Sequence, residues 1–460
     1  MNSAPENEKE KSGNKNLKSK AFKAAIFVVS SKGLSKIIRL LSNLVLTRLL
    51  VPELFGIVAL ARTFDTGIQL FSDVGLKPGI IRSKRAYDSN FLNTAWTLSV
   101  LRGLILWPIS LLIAIPVSEF YQEPLLVYVI PLIGLTFIIR GSQSTSIVML
   151  SKELKQGKLV VIELVVQLSN VIITIILAFL FRNIWALVIG SLIAETVKTI
   201  WSHLLKTQNR NWFKFEKDAV TELISFGKWI FISTAMTFLA SQADRIILGK
   251  LFPFSLLGIY SIALIFSEVP KSIIASLSQR VLFPLFSMAS KLPKSELRSK
   301  MMQQRKLPLT LLALGIAVFS CFGDVIIKFL YDQRYVQASW MLPLLVVGIW
   351  PMVLCQSIDR VLLARGKPNY LALGNFSKFV FIIIFVPLFY NIAGVFGAIV
   401  AIALNDITMY IIINVGLLKE RLSLLKQDLF ATVLLIVLVA LLIFFRSLIG
   451  IGLPVSEYFA

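Results

Sequence analysis

Six basic side chains lie well inside the first four apolar segments of this chain, leaving out Arg48 and Lys77 near segment ends, and these residue types can bind negative charge. They are Lys32, Lys36, Arg39, Arg62, Arg102 and Arg140. Only two acidic side chains, Asp65 and Asp73, share those segments. Ionisable groups at membrane depth are costly, and they persist where they face a bundle interior or a wet cavity. The excess of bases therefore predicts a cavity that holds an anionic substrate within the membrane.

The first apolar segment carries its polar residues on one helical face. Lys32, Lys36, Arg39 and Asn43 are spaced i, i+4, i+7 and i+11, which keeps them on one side of a helix. The second segment runs antiparallel to the first, so we expect Asp65 at about the depth of Lys36 and Arg39. Alternatively, these charges pair with one another in a packed bundle. Two acids cannot neutralise six cations, so a positive excess remains.

Two milder stripes in the fourth and fifth segments offer hydrogen bonds. Their members are Arg140, Gln143 and Ser144, and then Glu163, Gln167, Asn170 and Thr174. These side chains could form cavity walls that bind sugars. They could equally join helices to one another, since polar groups associate helices in lipid.

The second half of the chain carries nearly balanced charge in its apolar segments. Two Asp-Arg pairs recur there, in ADRIIL (243–248) and IDRVLL (358–363). Neighbours on a helix do not face each other, so we expect each Asp and Arg to have a different partner. The residues that could couple or gate a transport cycle are Asp65, Asp73, Asp244, Arg245, Glu268, Lys271, Asp359 and Arg360. The alternative is that the Asp-Arg pairs are interfacial anchors.

The elements that must position these residues are membrane-spanning helices. The chain has 460 residues, of which 56% are hydrophobic, and its mean hydropathy is +0.79. A spanning helix needs roughly 20 mostly apolar residues, so we expect an all-α polytopic membrane protein. The thirteen predicted spans are 24–49, 54–80, 93–116, 124–149, 159–181, 184–204, 224–249, 254–280, 307–330, 338–363, 369–389, 394–417 and 429–446.

The links between these spans alternate in charge. One set of links carries 21 Lys and Arg residues, whereas the opposite set carries three, or six when span ends are included. Positive charge marks the cytoplasmic side, so we expect a cytoplasmic N-terminus and an outer C-terminal tail. This distribution accounts for much of the formal charge of +22 without a nucleic-acid partner.

An internal repeat indicates two lobes. Residues 46–61 (LTRLLVPELFGIVALA) align without gaps with residues 248–263 (LGKLFPFSLLGIYSIA), an offset of six spans. An even number of spans preserves topology, so the predicted lobes are related by a pseudo-two-fold axis along the membrane normal. The predicted divisions are a disordered cytoplasmic tail (1–20), an N-lobe (21–205), an amphipathic cytoplasmic linker (206–223), a C-lobe (224–417) and a C-terminal part (418–460) with a link, an extra helix and a short outer tail.

The sequence offers little for enzymatic or metal chemistry. The single histidine, His203, and the two cysteines, Cys321 and Cys355, have no metal-ligand spacing. No GxxxxGK[ST] loop is present, so ATP is not an expected direct driver. We expect no enzyme activity, no metal and no cofactor. Coupling to a proton or sodium gradient is compatible with the sequence but not required by it.

Four segments resemble those of Wzx-type polysaccharide flippases, in particular the colanic-acid and teichuronic-acid exporter group. They are LVPELFGIVALA (50–61), FSDVGLKPGIIRSK (71–84), ADRIILGKLF (243–252) and GIYSIALIFSEVPKSIIASLSQRVLFPLF (258–286). The Leu-Phe-Gly turn and the RVLFP block are the most specific parts. The resemblance covers roughly residues 24–420 and extends to the wider MOP superfamily of MATE drug exporters and the lipid II flippase.

This resemblance implies two six-helix lobes around a cavity that opens to one side at a time. It implies a bacterial inner-membrane transporter that flips polyprenyl-diphosphate-linked oligosaccharides outward for exopolysaccharide or lipopolysaccharide biosynthesis. The implied partners are that substrate, membrane lipid and other polysaccharide-assembly proteins. By position, Lys36, Arg39 and Arg62 are expected to engage the diphosphate, followed by Arg102 and Arg140. The relatives usually have twelve or fourteen spans, so the thirteenth is expected to pack outside the core.

Two other functions are kept as alternatives. A cation-coupled multidrug exporter of the same fold would favour an acidic or aromatic cavity, which the excess of bases opposes. A membrane-integral polysaccharide polymerase or ligase would need acid/base groups on a sizeable outer loop. The outward links are short, which opposes that function.

Overall fold

The computed structural model describes residues 33–73, 75–153, 155–205, 210–225, 227–282, 286–287 and 292–455. In these ranges all regular secondary structure is helical. The predicted site residue Lys32 lies outside them. Helices α1 to α18 are, in chain order, 33–49, Pro52–Phe71, Leu76–Arg82, Ser89–Tyr121, Leu126–Gly141, Ser146–Lys152, Gln156–Phe181, Trp185–Leu204, Lys217–Ser225, Gly227–Leu251, Phe254–Leu277, Lys294–Leu330, Ala338–Gly348, Trp350–Gln356, Asp359–Ala364, Asn369–Leu404, Asp406–Lys419 and Leu425–Leu448. A π-helical turn, Ser278–Leu282, follows α11, and a 3-10 turn, Gln333–Tyr335, precedes α13.

These helices make the chain a multi-pass membrane protein. Among the described residues, eight helical stretches are long and apolar enough to cross a bilayer, or nine if the bent pair α5 and α6 is one span. One of the eight, Asn369–Lys419, contains two of the predicted spans. Each predicted span contains helix, but the number thirteen stays a prediction.

Two predicted spans in the first half are interrupted. The span predicted over 54–80 ends at Phe71, and Gly75 then adopts a left-handed φ of 70° before α3 begins. Asp73 therefore lies in a break rather than inside a helix, contrary to our expectation. The span predicted over 124–149 ends at Gly141 and bends by 65° into α6.

Breaks also divide helices in the second half. The span predicted over 338–363 consists of three helices, α13 to α15, and Pro351 lies in the first turn of the second. Helix α16 is kinked at Ala393 and Gly394, where Gly394 has a φ of 58°. Residues 294–306, which we placed in a cytoplasmic link, form the beginning of α12. Apolar length predicts where helix occurs but not where proline, glycine or tertiary contacts interrupt it.

Contacts divide the chain into two compact units. Unit 1 comprises Met1–Val45, Val74–Pro108 and Leu132–Lys228, and unit 2 comprises Leu46–Asp73, Ile109–Pro131 and Trp229–Ala460. The lobes 21–205 and 224–417 stay a prediction, as do the linker and the C-terminal division.

Unit 1 has a hydrophobic cluster built around α3 and the beginning of α4. Fully buried members include Ala86 and Phe91, and Leu223 of α9 completes the cluster. Segment 210–216 lies along α4 without forming a helix. The backbone N–H groups of Trp212, Lys214 and Glu216 donate to Asn93, Thr97 and Thr94.

Unit 2 contains a close crossing of α2 and α11 at the two equivalent positions of the repeat. A Cβ atom on Gly56 would overlap the carbonyl oxygen of Phe254, and one on Gly258 would overlap that of Pro52. Residues 52 and 254 are themselves separated by the repeat offset of 202. The two contacts are therefore symmetric, and only glycine lets the backbones approach this closely.

The last helix, α18, is tied to α12 in unit 2 by two buried ion pairs. Arg305 donates to Asp428 at 2.6 Å, with side-chain exposures of 0% and 1%. At the other end, Arg446 donates to Asp324 at 2.7 Å. Helix α12 supplies the base of the first pair and the acid of the second, and α18 supplies the opposite charges. This arrangement fixes the direction and register in which α18 packs.

Candidate functional site

The cations predicted on the first span remain together on α1. Lys36 and Arg39 are three residues apart, Lys36 being half-buried and Arg39 exposed. Asn43 continues the same face and is half-buried. Arg102, half-buried on α4, belongs to the same unit as these residues. Unit 1 therefore carries three of the predicted anion-binding cations, namely Lys36 and Arg39 on α1 and Arg102 on α4.

Arg62 and Asp65 lie one turn apart on α2 and belong to unit 2. Arg62 is exposed, whereas Asp65 is only 8% exposed. The predicted cations are thus shared between the two units.

Arg140 is held by an acid of unit 1. Its guanidinium donates to Glu195 of α8 at 3.0 Å, and Gln143 donates to the other oxygen of Glu195 at 3.3 Å. For Arg140, therefore, the structure supports the alternative in which the charges pair with one another in a packed bundle. The sequence does not predict this pair when charges are compared within the first four apolar segments alone, because Glu195 lies in the sixth.

Members of both hydrogen-bonding stripes make contacts between segments within unit 1. The amide of Gln167 on α7 donates to the backbone carbonyl of Ser35 on α1 at 2.6 Å, and the Ser35 hydroxyl donates back to Gln167. Ser144 binds Ser202 and Asn211. These contacts support the interpretation of the stripes as bonds between helices rather than as walls that bind sugars.

Unit 2 contains a polar cavity that brings four of the predicted coupling or gating residues together. Asp244 and Arg245 of α10 and Glu268 and Lys271 of α11 all line it. The cavity has a volume of about 80 Å³ and is partly open to solvent. The clustering is a finding of the structure, because the sequence placed these residues on separate spans.

Asp244 and Arg245 have different partners, as predicted from helix geometry. The Tyr260 hydroxyl donates to Asp244 at 2.6 Å. Arg245 donates to the Gln242 side-chain oxygen at 3.0 Å. That oxygen also accepts a hydrogen bond from Thr63 of α2 at 3.2 Å.

A buried ion pair, Lys378 with Asp406, completes the charged lining of the cavity. The two residues lie on α16 and α17, and both are less than 10% exposed. The sequence shows them only as two charges in a balanced set. A signal was nonetheless present, since a lysine deep in an apolar segment requires an acidic partner.

The second Asp-Arg pair lies outside the cavity, and its predicted geometry is wrong. Arg360 Nε lies 3.5 Å from the Asp359 carboxylate, so these neighbours do face each other. Asp359 is the first residue of α15 and follows the break at Ser357 and Ile358. The helical spacing argument does not apply at such a boundary.

Solved structures with the same fold are membrane transporters. The inward closed lipid II flippase MurJ superposes with a TM-score of 0.70 at 14% identity, covering 92% of this chain and 99% of that one. An inward-facing multidrug resistance MATE transporter of the MOP superfamily superposes with a TM-score of 0.65 at 14% identity, covering 88% and 99%. At this identity the likeness establishes the fold, which is the MATE-like architecture predicted from the sequence.

Sequence comparison identifies the family. The teichuronic acid biosynthesis protein TuaB of Bacillus subtilis (strain 168) is 26% identical over 308 residues, which are 65% of this chain and 62% of TuaB. The match thus spans less than two thirds of that relative. Residues 45–340 match the family described as "Polysaccharide biosynthesis protein". Because this match covers more than half of the chain, the protein belongs to the polysaccharide biosynthesis protein family.

Proposed function

We propose that this protein moves polyprenyl-diphosphate-linked oligosaccharides from the inner to the outer leaflet of the bacterial cytoplasmic membrane. Its family acts in polysaccharide biosynthesis, and its fold is that of a lipid II flippase. The observation that carries the proposal is the placement of Lys36 and Arg39 one turn apart on α1. A diphosphate needs cations that lie close together, and charge-assisted hydrogen bonds to phosphate are among the stronger polar contacts.

In the proposed cycle the head group enters from the cytoplasmic leaflet while the polyprenyl tail stays in lipid. Lys36 and Arg39 hold the diphosphate, and Arg102 and Arg62 are the next candidates. The protein then opens to the outer side and releases the head group there. It acts as a transporter and not as an enzyme, with its N-terminus in the cytoplasm. Other polysaccharide-assembly proteins are proposed to receive the product.

Coupling to a proton or sodium gradient is proposed through Asp65, Asp244 or Glu268. Asp65 is buried on α2, and the other two line the cavity of unit 2. Imposing each gradient separately on proteoliposomes tests this part of the proposal. The variants are Asp65→Asn, Asp244→Asn and Glu268→Gln. If one gradient accelerates lipid transfer by wild type but not by one of these variants, the substituted acid is the coupling acid. Equal rates with and without gradients would exclude gradient coupling.

The proposal is tested by transfer of a fluorescent polyprenyl-diphosphate oligosaccharide between the leaflets of proteoliposomes. Wild type is compared with Arg39→Ala and Arg62→Ala, and with Arg298→Ala as a matched control. Arg298 is exposed in the first turns of α12. Losing one charge-assisted contact of about 1.5–3 kcal/mol corresponds to roughly a 10- to 100-fold slower transfer in the Arg39 variant. Normal transfer by both the Arg39→Ala and the Arg62→Ala variants would place the diphosphate elsewhere.

A further inference from the structure

The sugar part of the proposed substrate needs a binding surface, and unit 1 offers little of one. Its sequence-predicted sugar contacts are used between helices, as shown by Gln167 with Ser35 and by Arg140 and Gln143 with Glu195. Thr174 donates to Asn170 on the same helix at 3.1 Å. Unsatisfied hydrogen-bonding groups must therefore be sought elsewhere in the chain.

The polar cavity of unit 2 combines hydrogen-bonding groups with apolar walls. Five helices supply the lining, namely α10, α11, α13, α16 and α17, together with Asn405 between the last two. Leu264, Leu345 and Ile382 provide apolar surface among the polar groups. Small-molecule sites are typically concave, with apolar walls and a few placed polar groups.

The charges that line this cavity balance. Three acids and three bases contribute, namely Asp244, Glu268, Asp406, Arg245, Lys271 and Lys378. Asp244 already accepts from Tyr260, and Asp406 is paired with Lys378. A lining without net charge gives no general preference for an anion or a cation. It suits a ligand that is neutral and rich in hydrogen-bonding groups.

Besides Oδ1 of Asp406, which is ion-paired with Lys378, two buried atoms of lining residues have no hydrogen-bond partner within the described part of the chain. They are Nε of Arg245, which is a donor, and Oδ1 of Asn405, which is an acceptor. Buried polar groups are nearly always satisfied, so each such atom requires an explanation. Sugar hydroxyls both donate and accept hydrogen bonds, so a bound sugar carries the two kinds of group that this donor and this acceptor need. The C–H faces of a sugar ring would contact the apolar walls.

We propose that this cavity of unit 2 binds a neutral sugar residue of the lipid-linked substrate. Arg245 and Asn405 contact its hydroxyl groups, and Glu268 and Lys271 lie at the same lining to bind others. This inference rests on the proposed function.

The test compares binding of purified protein to four fluorescent lipids in the same vesicles. One is polyprenyl diphosphate without sugar, and the others carry a hexose, an N-acetylhexosamine or a hexuronate. Wild type is compared with Asn405→Ala, Glu268→Gln and Asn391→Ala. Asn391 is exposed on α16 and does not line the cavity, so it is the matched control. Glu268 is exposed at the cavity lining, so Glu268→Gln should keep the fold. It therefore tests the proposal even if Asn405→Ala fails to fold.

The expected result is that wild type binds a neutral sugar form more tightly than bare polyprenyl diphosphate. Asn405→Ala and Glu268→Gln should each weaken binding of the sugar-bearing lipid about three- to tenfold, which is the effect of one lost hydrogen bond. Binding of the bare lipid should be unchanged in all three variants. Equal binding of all four lipids by wild type would overturn the cavity assignment, as would tightest binding of the hexuronate. If wild type bound none of the lipids, the proposed function itself would fail.

Discussion

At the scale of single residues, the structure places the predicted cations in different surroundings. Lys36 and Arg39 lie on one face of α1, whereas Arg140 is held by Glu195 at 3.0 Å. Both side chains of that pair are partly exposed, at 35% and 20%. Exposed ion pairs are worth about 0–1 kcal/mol, so this pair orients two helices more than it stabilises them.

The pairing of Arg140 predicts a specific rescue. Arg140→Gln leaves Glu195 without its cation, and Glu195→Gln frees Arg140. The double variant removes both charges and should transfer substrate at nearly the wild-type rate, measured in the leaflet assay. Loss of transfer in the double variant, with Glu195→Gln alone active, would show that Arg140 binds substrate directly.

A second residue-scale prediction concerns the buried pair of Arg305 and Asp428. Arg305 also donates to Ser357 at 2.9 Å, and Tyr410 donates to Asp428 at 2.9 Å. Removing one member of a buried pair leaves a buried charge, at a cost of about 3–5 kcal/mol. Arg305→Ala should therefore lower the melting temperature of the purified protein sharply, while Arg298→Ala on the same helix should not. Similar melting temperatures for the two variants would argue against a buried Asp428.

The pair of Asp332 and Arg334 gives a pH prediction, since both lie in the link between α12 and α13. The Arg334 guanidinium hydrogen-bonds the Asp332 carboxylate and lowers its pKa below the ordinary value of about 3.9. A lowered pKa stabilises the folded state above the ordinary pKa, and this stabilisation is lost as pH falls through the folded value. Wild type should therefore lose part of its stability advantage over Asp332→Asn when melting is measured below pH 4. Both groups are about 40% exposed, so we expect at most about 1 kcal/mol. A constant difference in melting temperature between wild type and Asp332→Asn from pH 7 to pH 3 would contradict this prediction.

At the scale of elements, the crossing of α2 and α11 depends on two glycines. Gly56→Ala or Gly258→Ala would place a methyl group on the opposing backbone, and overpacking costs about 1–3 kcal/mol. Each variant should melt at a lower temperature than wild type. Gly315→Ala is the control, because a Cβ there meets nothing within 4 Å. If Gly56→Ala melted like Gly315→Ala, the close crossing would be incorrect.

The elements also show what could be predicted from the sequence and what could not. Apolar length predicted the helices, and the repeat placed Gly56 and Gly258 at equivalent positions. The bend after Gly141 and the breaks within 338–364 depend on tertiary contacts, which hydropathy does not register. Arg305 was assigned to a cytoplasmic link by its charge, yet it is fully buried because Asp428 lies beside it. Pairs that are distant in sequence, such as Lys378 with Asp406, require the fold.

At the scale of the whole molecule, the alternation of charged links predicts the orientation in the membrane. The native thiols of Cys321 and Cys355 are buried, so introduced cysteines can be labelled selectively. Lys419→Cys should react with a membrane-impermeant reagent only from the cytoplasmic side, and Gln333→Cys only from outside. Both positions are exposed. The reverse pattern would contradict a cytoplasmic N-terminus.

At this scale we propose that the protein carries a lipid-linked oligosaccharide rather than a cationic drug. The same proteoliposomes can be given a fluorescent polyprenyl-diphosphate oligosaccharide and a cationic dye, with transfer of each followed under an imposed proton or sodium gradient. We expect transfer of the lipid between leaflets and no transport of the dye. Transport of the dye without transfer of any lipid-linked sugar would contradict the account and identify a multidrug exporter.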